Sequence, residues 1–173
     1  SLRIGVSYEA ICRTLILYKW IDKQIGQDLL STQPKQIKDH LLEGEALKDS
    51  WADVWLLSEN DHTEAIEAGP DDMFVLNLRE HGNGGYLWNV DEVENEGFQI
   101  HSHDTRQDDD VVGSLQDRHW KISSDTPSAG ELKLKERRPW QPDDAINRFE
   151  VDYSLWGKEI GLPRCQRPQI IAA

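Results

Sequence analysis

"DMFVLNLRE", residues 72–80, decides the fold of this chain. Phe74, Leu76 and Leu78 alternate with Val75, Asn77 and Arg79, the period of two that marks a β-strand with one buried face. "GELKLKERRPW" (130–140) repeats the pattern, with Leu132 and Leu134 facing one way and Lys133 and Lys135 the other. "NRFEVDYSLW" (147–156) sets Phe149, Val151 and Tyr153 against Glu150, Asp152 and Ser154. "GFQIHSH" (97–103) and "HWKIS" (119–123) supply shorter strands, and turn-rich gaps such as "DTRQDDD" (104–110) and "SSDTPSAG" (123–130) separate them. About six or seven short strands in this space predict an antiparallel, immunoglobulin-like β-sandwich, making the chain mainly β.

Upstream the period changes. Ser7 suits an N-cap with Glu9 in the first turn, and Ile11, Leu15 and Tyr18 follow as a helical stripe. Asp22 fits the cap of a second helix carrying Ile25 and Leu29, against the helix-weakening Gly26. Pro34 fits the first turn of a third helix, with Ile37, Leu41 and Leu42 on one face and Gly44 beyond its end. These helices carry too little apolar surface for a core of their own. "WADVWLLSEND" (51–61) reads both ways: Trp51 and Trp55 share a helical face, yet Val54 to Leu57 also suits a buried strand. The expected organisation is a helical segment over 1–57, a sandwich over 58–157 and an irregular tail over 158–173.

Composition narrows the function. A net charge of −13 argues against a phosphate-binding surface and hence against nucleic acid. No stretch approaches the ~20 apolar residues of a membrane span. Cys12 and Cys165 form no metal spacing and no disulfide framework, which favours a reducing, cytoplasmic setting. The chain opens at Ser1 directly into "LRIGVSYEAI", which reads as sequence from inside a domain and hence as a piece of a longer protein. "HSHD" (101–104) offers two histidines and a carboxylate but no third firm ligand, and "QDDDVV" (107–112) lacks the glycine and final glutamate of a calcium loop. No catalytic Ser/His/Asp or Cys/His signature is present, so neither an enzyme nor a cofactor is expected.

Three loops stand out: "EHGNGGYLW" (80–88), "GSLQDRHW" (113–120) and "ERRPW" (136–140). In an immunoglobulin-like order they occupy the BC, DE and FG positions, at one pole of the sandwich. Residues 62–157 resemble the chagasin-like inhibitors of papain-type cysteine peptidases, whose three loops carry N-P-T-T-G-Y-x-W, G-x-G-G and R-P-W or R-P-F. Here the first reads His81-Gly82-Asn83-Gly84-Gly85-Tyr86-Leu87-Trp88, and the third is intact as Arg138-Pro139-Trp140. The second keeps Gly113 but continues as Ser114-Leu115-Gln116. The resemblance implies a non-covalent inhibitor whose first loop, His81 to Gly85, enters the peptidase cleft while the other two straddle it. Trp140 would serve as an aromatic anchor and Arg138 would pair with an acidic rim. Tyr86 and Trp88, two apart, are read as sharing one core-facing side of a strand. Gly82 and Asn83-Gly84 replace the proline and threonines of the family pattern. That costs roughly 0.5–1 kcal/mol of backbone entropy per glycine and predicts a slimmer, more mobile tip.

"LRIGVSYEAICRTLILYKWI" (2–21) resembles the helical stretch that follows the active site in ImmA/IrrE-type zinc metallopeptidases, through Val6, Ser7, Ala10, Arg13 and Leu15. The metal-binding H-E-x-x-H is absent, since His40 is followed by Leu41, Leu42 and Glu43. This resemblance implies a second possibility: a regulatory or substrate-recognition domain of a metallopeptidase, using the same loops on a protein other than a cysteine peptidase, with the parent metallopeptidase domain as a partner.

Overall fold

A computed structural model describes residues 6–49, 52–107 and 115–156. The chain divides into two units, one containing residues 1–44 and 158–173 and the other Glu45–Gly157.

The first unit holds three helices, α1 (Tyr8–Leu17), α2 (Lys23–Ser31) and α3 (Pro34–Leu42). The Ser7 hydroxyl accepts from the Ala10 backbone N–H at 3.2 Å and caps α1. Gly26 is buried in α2 because a Cβ there would sit 2.2 Å from Cγ1 of Ile16, so glycine permits the two helices to close. Asp22 makes no side-chain cap, whereas Gln33 and Gln36 form a reciprocal capping box before Pro34. Cys12 and Leu42 are buried, while Leu17, Tyr18 and Trp20 stay exposed.

The second unit is a sandwich of two four-stranded sheets. Its strands are β1 (Val54–Ser58), β2 (Ala65–Ala68), β3 (Met73–Glu80), β4 (Leu87–Asn89), β5 (Gln99–Gln107), β6 (Gln116–Ser123), β7 (Ser128–Arg138) and β8 (Gln141–Leu155). A short helix, α4 (Asp91–Asn95), follows β4. One sheet runs β1-β3-β6-β5 and the other β2-β8-β7-β4. The alternating apolar residues do face inward: Phe74, Leu76, Leu78, Trp120 and Ile122 from one sheet, and Leu132, Leu134, Phe149, Val151 and Tyr153 from the other, are all buried.

Two features depart from the expected all-antiparallel sandwich. In the stretch 51–61, where Trp51 lies outside the described residues, Val54–Ser58 form strand β1 and Glu59–Asp61 a 3₁₀ turn, and Trp55 donates its indole N–H to buried Asp72 at 3.1 Å. The compact unit that holds the sandwich spans Glu45–Gly157, and its first strand begins at Val54. In addition, β1 pairs with β3 in parallel, and β2 with β8 in parallel. The chain leaves β1, crosses to the other sheet as β2 and returns as β3, so β1 and β3 must run the same way.

Candidate functional site

Strand register brings three connections to one pole. Glu80 at the end of β3 pairs with Gln116 at the start of β6, which also pairs with Gln107 at the end of β5. In the other sheet Leu87 opens β4 opposite Arg137, and Arg138 pairs with Gln141 across the β7–β8 turn. The β3–β4 loop, the start of β6 and the β7–β8 turn thus share one end of the sandwich.

The β3–β4 loop is an ordered turn. Residues Gly82–Gly84 form one 3₁₀ turn, and Gly85 ends it in the left-handed region at φ 72°. Its N–H donates to the Gly82 carbonyl at 3.0 Å. A side chain is excluded there twice over, because a Cβ on Gly85 would lie 2.7 Å from Cη2 of Trp140. On the far flank, a Cβ on Gly82 would meet Oε1 of Gln116 at 3.0 Å. The glycines thus let the neighbouring segments close on the loop from both sides. These contacts flank the glycines at which the sequence predicts a slimmer, more mobile tip.

Arg138 is the latch. Its Nε donates to the Gly84 carbonyl at 3.0 Å, its Nη1 to Oε1 of Gln141 at 3.2 Å, and its guanidinium lies 4.4 Å from the centre of the Tyr86 ring. The side chain expected to meet a partner's acidic rim is engaged within its own chain. Tyr86 also departs from the sequence reading: it precedes β4, half-buried under Arg138, while Trp88 alone enters the core. Trp140 is 67% exposed, and Leu87 and Leu115 are partly exposed on the same pole. Pro139 is exposed at the turn. Of the middle loop, Leu115 and Gln116 belong to the pole, whereas Gly113 and Ser114 lie outside the described residues.

Two residues that sequence reasoning passed over lie beneath the loop. Glu80 and Glu136 are almost fully buried, at 1% and 0% exposure. Glu136 accepts the His81 backbone N–H, lies 3.1 Å from His81 Nδ1 through each oxygen, and accepts from Nδ2 of Asn147 at 2.6 Å. Glu80 accepts the Trp88 backbone N–H at 2.9 Å and faces Nε of Arg118 at 3.4 Å, an ionic contact without hydrogen-bond geometry. The Trp88 indole N–H donates to the Arg79 carbonyl at 2.8 Å. A cleft of about 290 Å³ borders the root of the loop, lined by His62, Arg79, His81, Trp88, Leu115 and Arg148 among others.

Away from this pole, the two histidines of "HSHD" do not converge. A bulge between Ile100 and Ser102 breaks the alternation, and His101 Nε2 lies 2.7 Å from Oγ of Ser123. No group of three potential metal ligands occurs among the described residues. Among them, too, no helix is long and apolar enough to cross a membrane.

A sandwich that presents three connections from one pole offers a surface on which loops can act together. The model of the chagasin family peptidase inhibitor I42 matches residues 67–154, just over half of the 173 residues, and the chain belongs to that family. The family is one of inhibitors, not of enzymes. The cysteine protease inhibitor EhICP2 from Entamoeba histolytica shares the fold, with a TM-score of 0.54 at 16% identity over 62% of this chain and 100% of that one. Amebosin matches with a TM-score of 0.48 at 23% identity, over 60% of this chain and 98% of that one. PbICP-C, solved in complex with falcipain-2, matches with a TM-score of 0.38 at 14% identity, over 62% and 93% respectively. No curated protein matches the chain in sequence.

Proposed function

We propose that this chain is a non-covalent inhibitor module for papain-like cysteine peptidases, docking its β3–β4 loop into the active-site cleft. The observation that carries this reading is the latch between Arg138 and Gly84 within a family of peptidase inhibitors. The residues Gly82, Gly84 and Gly85 have no side chains, so the tip is narrow enough for a cleft. The bond from Arg138 to the Gly84 carbonyl ties the loop to the β7–β8 turn and resists the extended conformation that a scissile segment must adopt in the cleft. Trp140, with Leu87 and Leu115, then supplies a preorganised apolar rim, and the loop loses little freedom on docking. Leu115 and Gln116 flank the loop on one side, and Arg138, Pro139 and Trp140 on the other.

The test is inhibition of papain and cathepsin L by the purified chain. Competitive inhibition without cleavage of the inhibitor is expected. Full peptidase activity at about tens of micromolar protein, a level at which even weak complexes form, rules the proposal out.

A second reading is favoured by the helical unit, whose Leu17, Tyr18 and Trp20 are exposed at 75%, 65% and 74%. Such an apolar surface fits a remnant of a larger helical body, as the metallopeptidase resemblance implies. Under it, the same loop pole regulates or recruits for the parent enzyme. Unchanged substrate cleavage by a full-length protein lacking residues 58–173 excludes that role.

A further inference from the structure

We infer that Glu80 and Glu136 are positioning residues that clamp the β3–β4 loop by its two ends, so that it obstructs a peptidase cleft instead of being cut in it. This inference rests on the inhibitory reading above.

The two clamps cross between the sheets. His81 follows β3, in one sheet, but its N–H is held by Glu136 of β7 in the other. Trp88 lies in β4, yet its N–H is held by Glu80 of β3 in the opposite sheet. The carboxylates are themselves braced. Asn147 of β8 donates to Glu136, and Arg118 of β6 faces Glu80. The ends of the loop are thus fixed by four other strand positions, and the 3₁₀ turn between them cannot extend.

Burying a carboxylate is costly, and the cost is offset only where the charge is paired and hydrogen-bonded, as these two are. Pairing alone does not explain why both acids take a backbone N–H from the ends of the same loop. A role in holding the loop does account for this. A peptidase cuts a segment that lies extended across its cleft with the carbonyl carbon aligned to the nucleophile. A turn held at both ends denies it that geometry.

The experiment compares the wild type with Glu136→Leu, Glu80→Leu and Glu136→Gln. Amide hydrogen exchange at His81 and Trp88 is followed by NMR, and each protein is incubated with papain and analysed by mass spectrometry. In Glu136→Leu the melting temperature should fall, since the His81 N–H and the Asn147 amide lose a buried acceptor, and the His81 amide should exchange about tenfold faster or more relative to the amides of the β7–β8 ladder, the loss expected for a charge-assisted bond. Papain should then cleave between residues 81 and 85, turning the inhibitor into a substrate. Glu80→Leu should free the Trp88 amide in the same way. Glu136→Gln keeps an acceptor for the His81 N–H but turns a donor toward Asn147, so its effect should be smaller and still measurable. Wild-type protection of both amides in the leucine variants overturns the clamp. Should those variants fail to fold, unchanged His81 exchange in Glu136→Gln overturns it alone. Absence of papain inhibition by the wild type defeats the inhibitory reading, whereas the exchange rates judge the clamp separately.

Discussion

Arg138 and Gly84 sit 54 residues apart in sequence and are joined by a 3.0 Å hydrogen bond from the guanidinium Nε to the carbonyl oxygen. That bond makes one unit of the β3–β4 loop and the β7–β8 turn. A bond to a charged donor contributes ~1.5–3 kcal/mol, less where water competes, as it does here. Arg138→Ala should therefore weaken peptidase inhibition about tenfold without unfolding the sandwich, as measured by inhibition constants alongside thermal melts. Arg138→Lys should recover little, since an ammonium cannot both donate to Gly84 and spread over the Tyr86 ring.

The two tryptophans of the pole should separate affinity from stability. Trp140 is exposed, and Trp140→Ala should cost about 2 kcal/mol or more of binding with little change in melting temperature. Trp88 is 6% exposed in the core, and Trp88→Ala should destabilise the fold by about 3–5 kcal/mol. Chemical denaturation of both variants, set beside their inhibition constants, checks the contrast.

Gly85→Ala should strain the backbone at φ 72° and push its Cβ against the Trp140 ring. A loss of about 1 kcal/mol of stability is expected, with a shift in tryptophan fluorescence as the indole is displaced. An alanine variant with unaltered emission and melting temperature would contradict this packing.

Burial pushes the Tyr153 phenol above its ordinary value, and Glu96, which accepts its O–H at 3.1 Å, adds to the shift. The folded state thus favours the neutral phenol more than the unfolded state does. The resulting stability is present in full below about pH 10 and is lost as pH rises through the folded value. Denaturant midpoints measured from pH 8 to 11 should fall above pH 10, and Tyr153→Phe should flatten that decline.

The period-two alternation carried most of the fold, because inward residues such as Phe149, Val151 and Tyr153 declare themselves against polar neighbours. Alternation has no direction, so the parallel pairing of β1 with β3 was invisible in it. It also fades where a strand lies exposed: β8 starts at Gln141, ahead of the first apolar alternation at Phe149, and a bulge sets Pro142, Asp143 and Asp144 outside the ladder. The loop motifs located the pole through Gly-Tyr-x-Trp and Arg-Pro-Trp, but not the partners within it. One signal went unread. Glu80 continues the parity of Leu76 and Leu78, and Glu136 that of Leu132 and Leu134, so both acids were assigned inward by the pattern that found the core.

The parallel pairing of β2 with β8 joins Ala65 to Asp152 across most of the sandwich sequence. Such long-range pairing forms late, because distant segments must meet before any contact rewards them. On a ribosome, β7 and β8 emerge after the other six strands, and with them come Glu136, Arg138, Trp140 and Asn147. The loop pole, with its buried acids and its exposed indole, is therefore assembled only after the last two strands of the sandwich are in place.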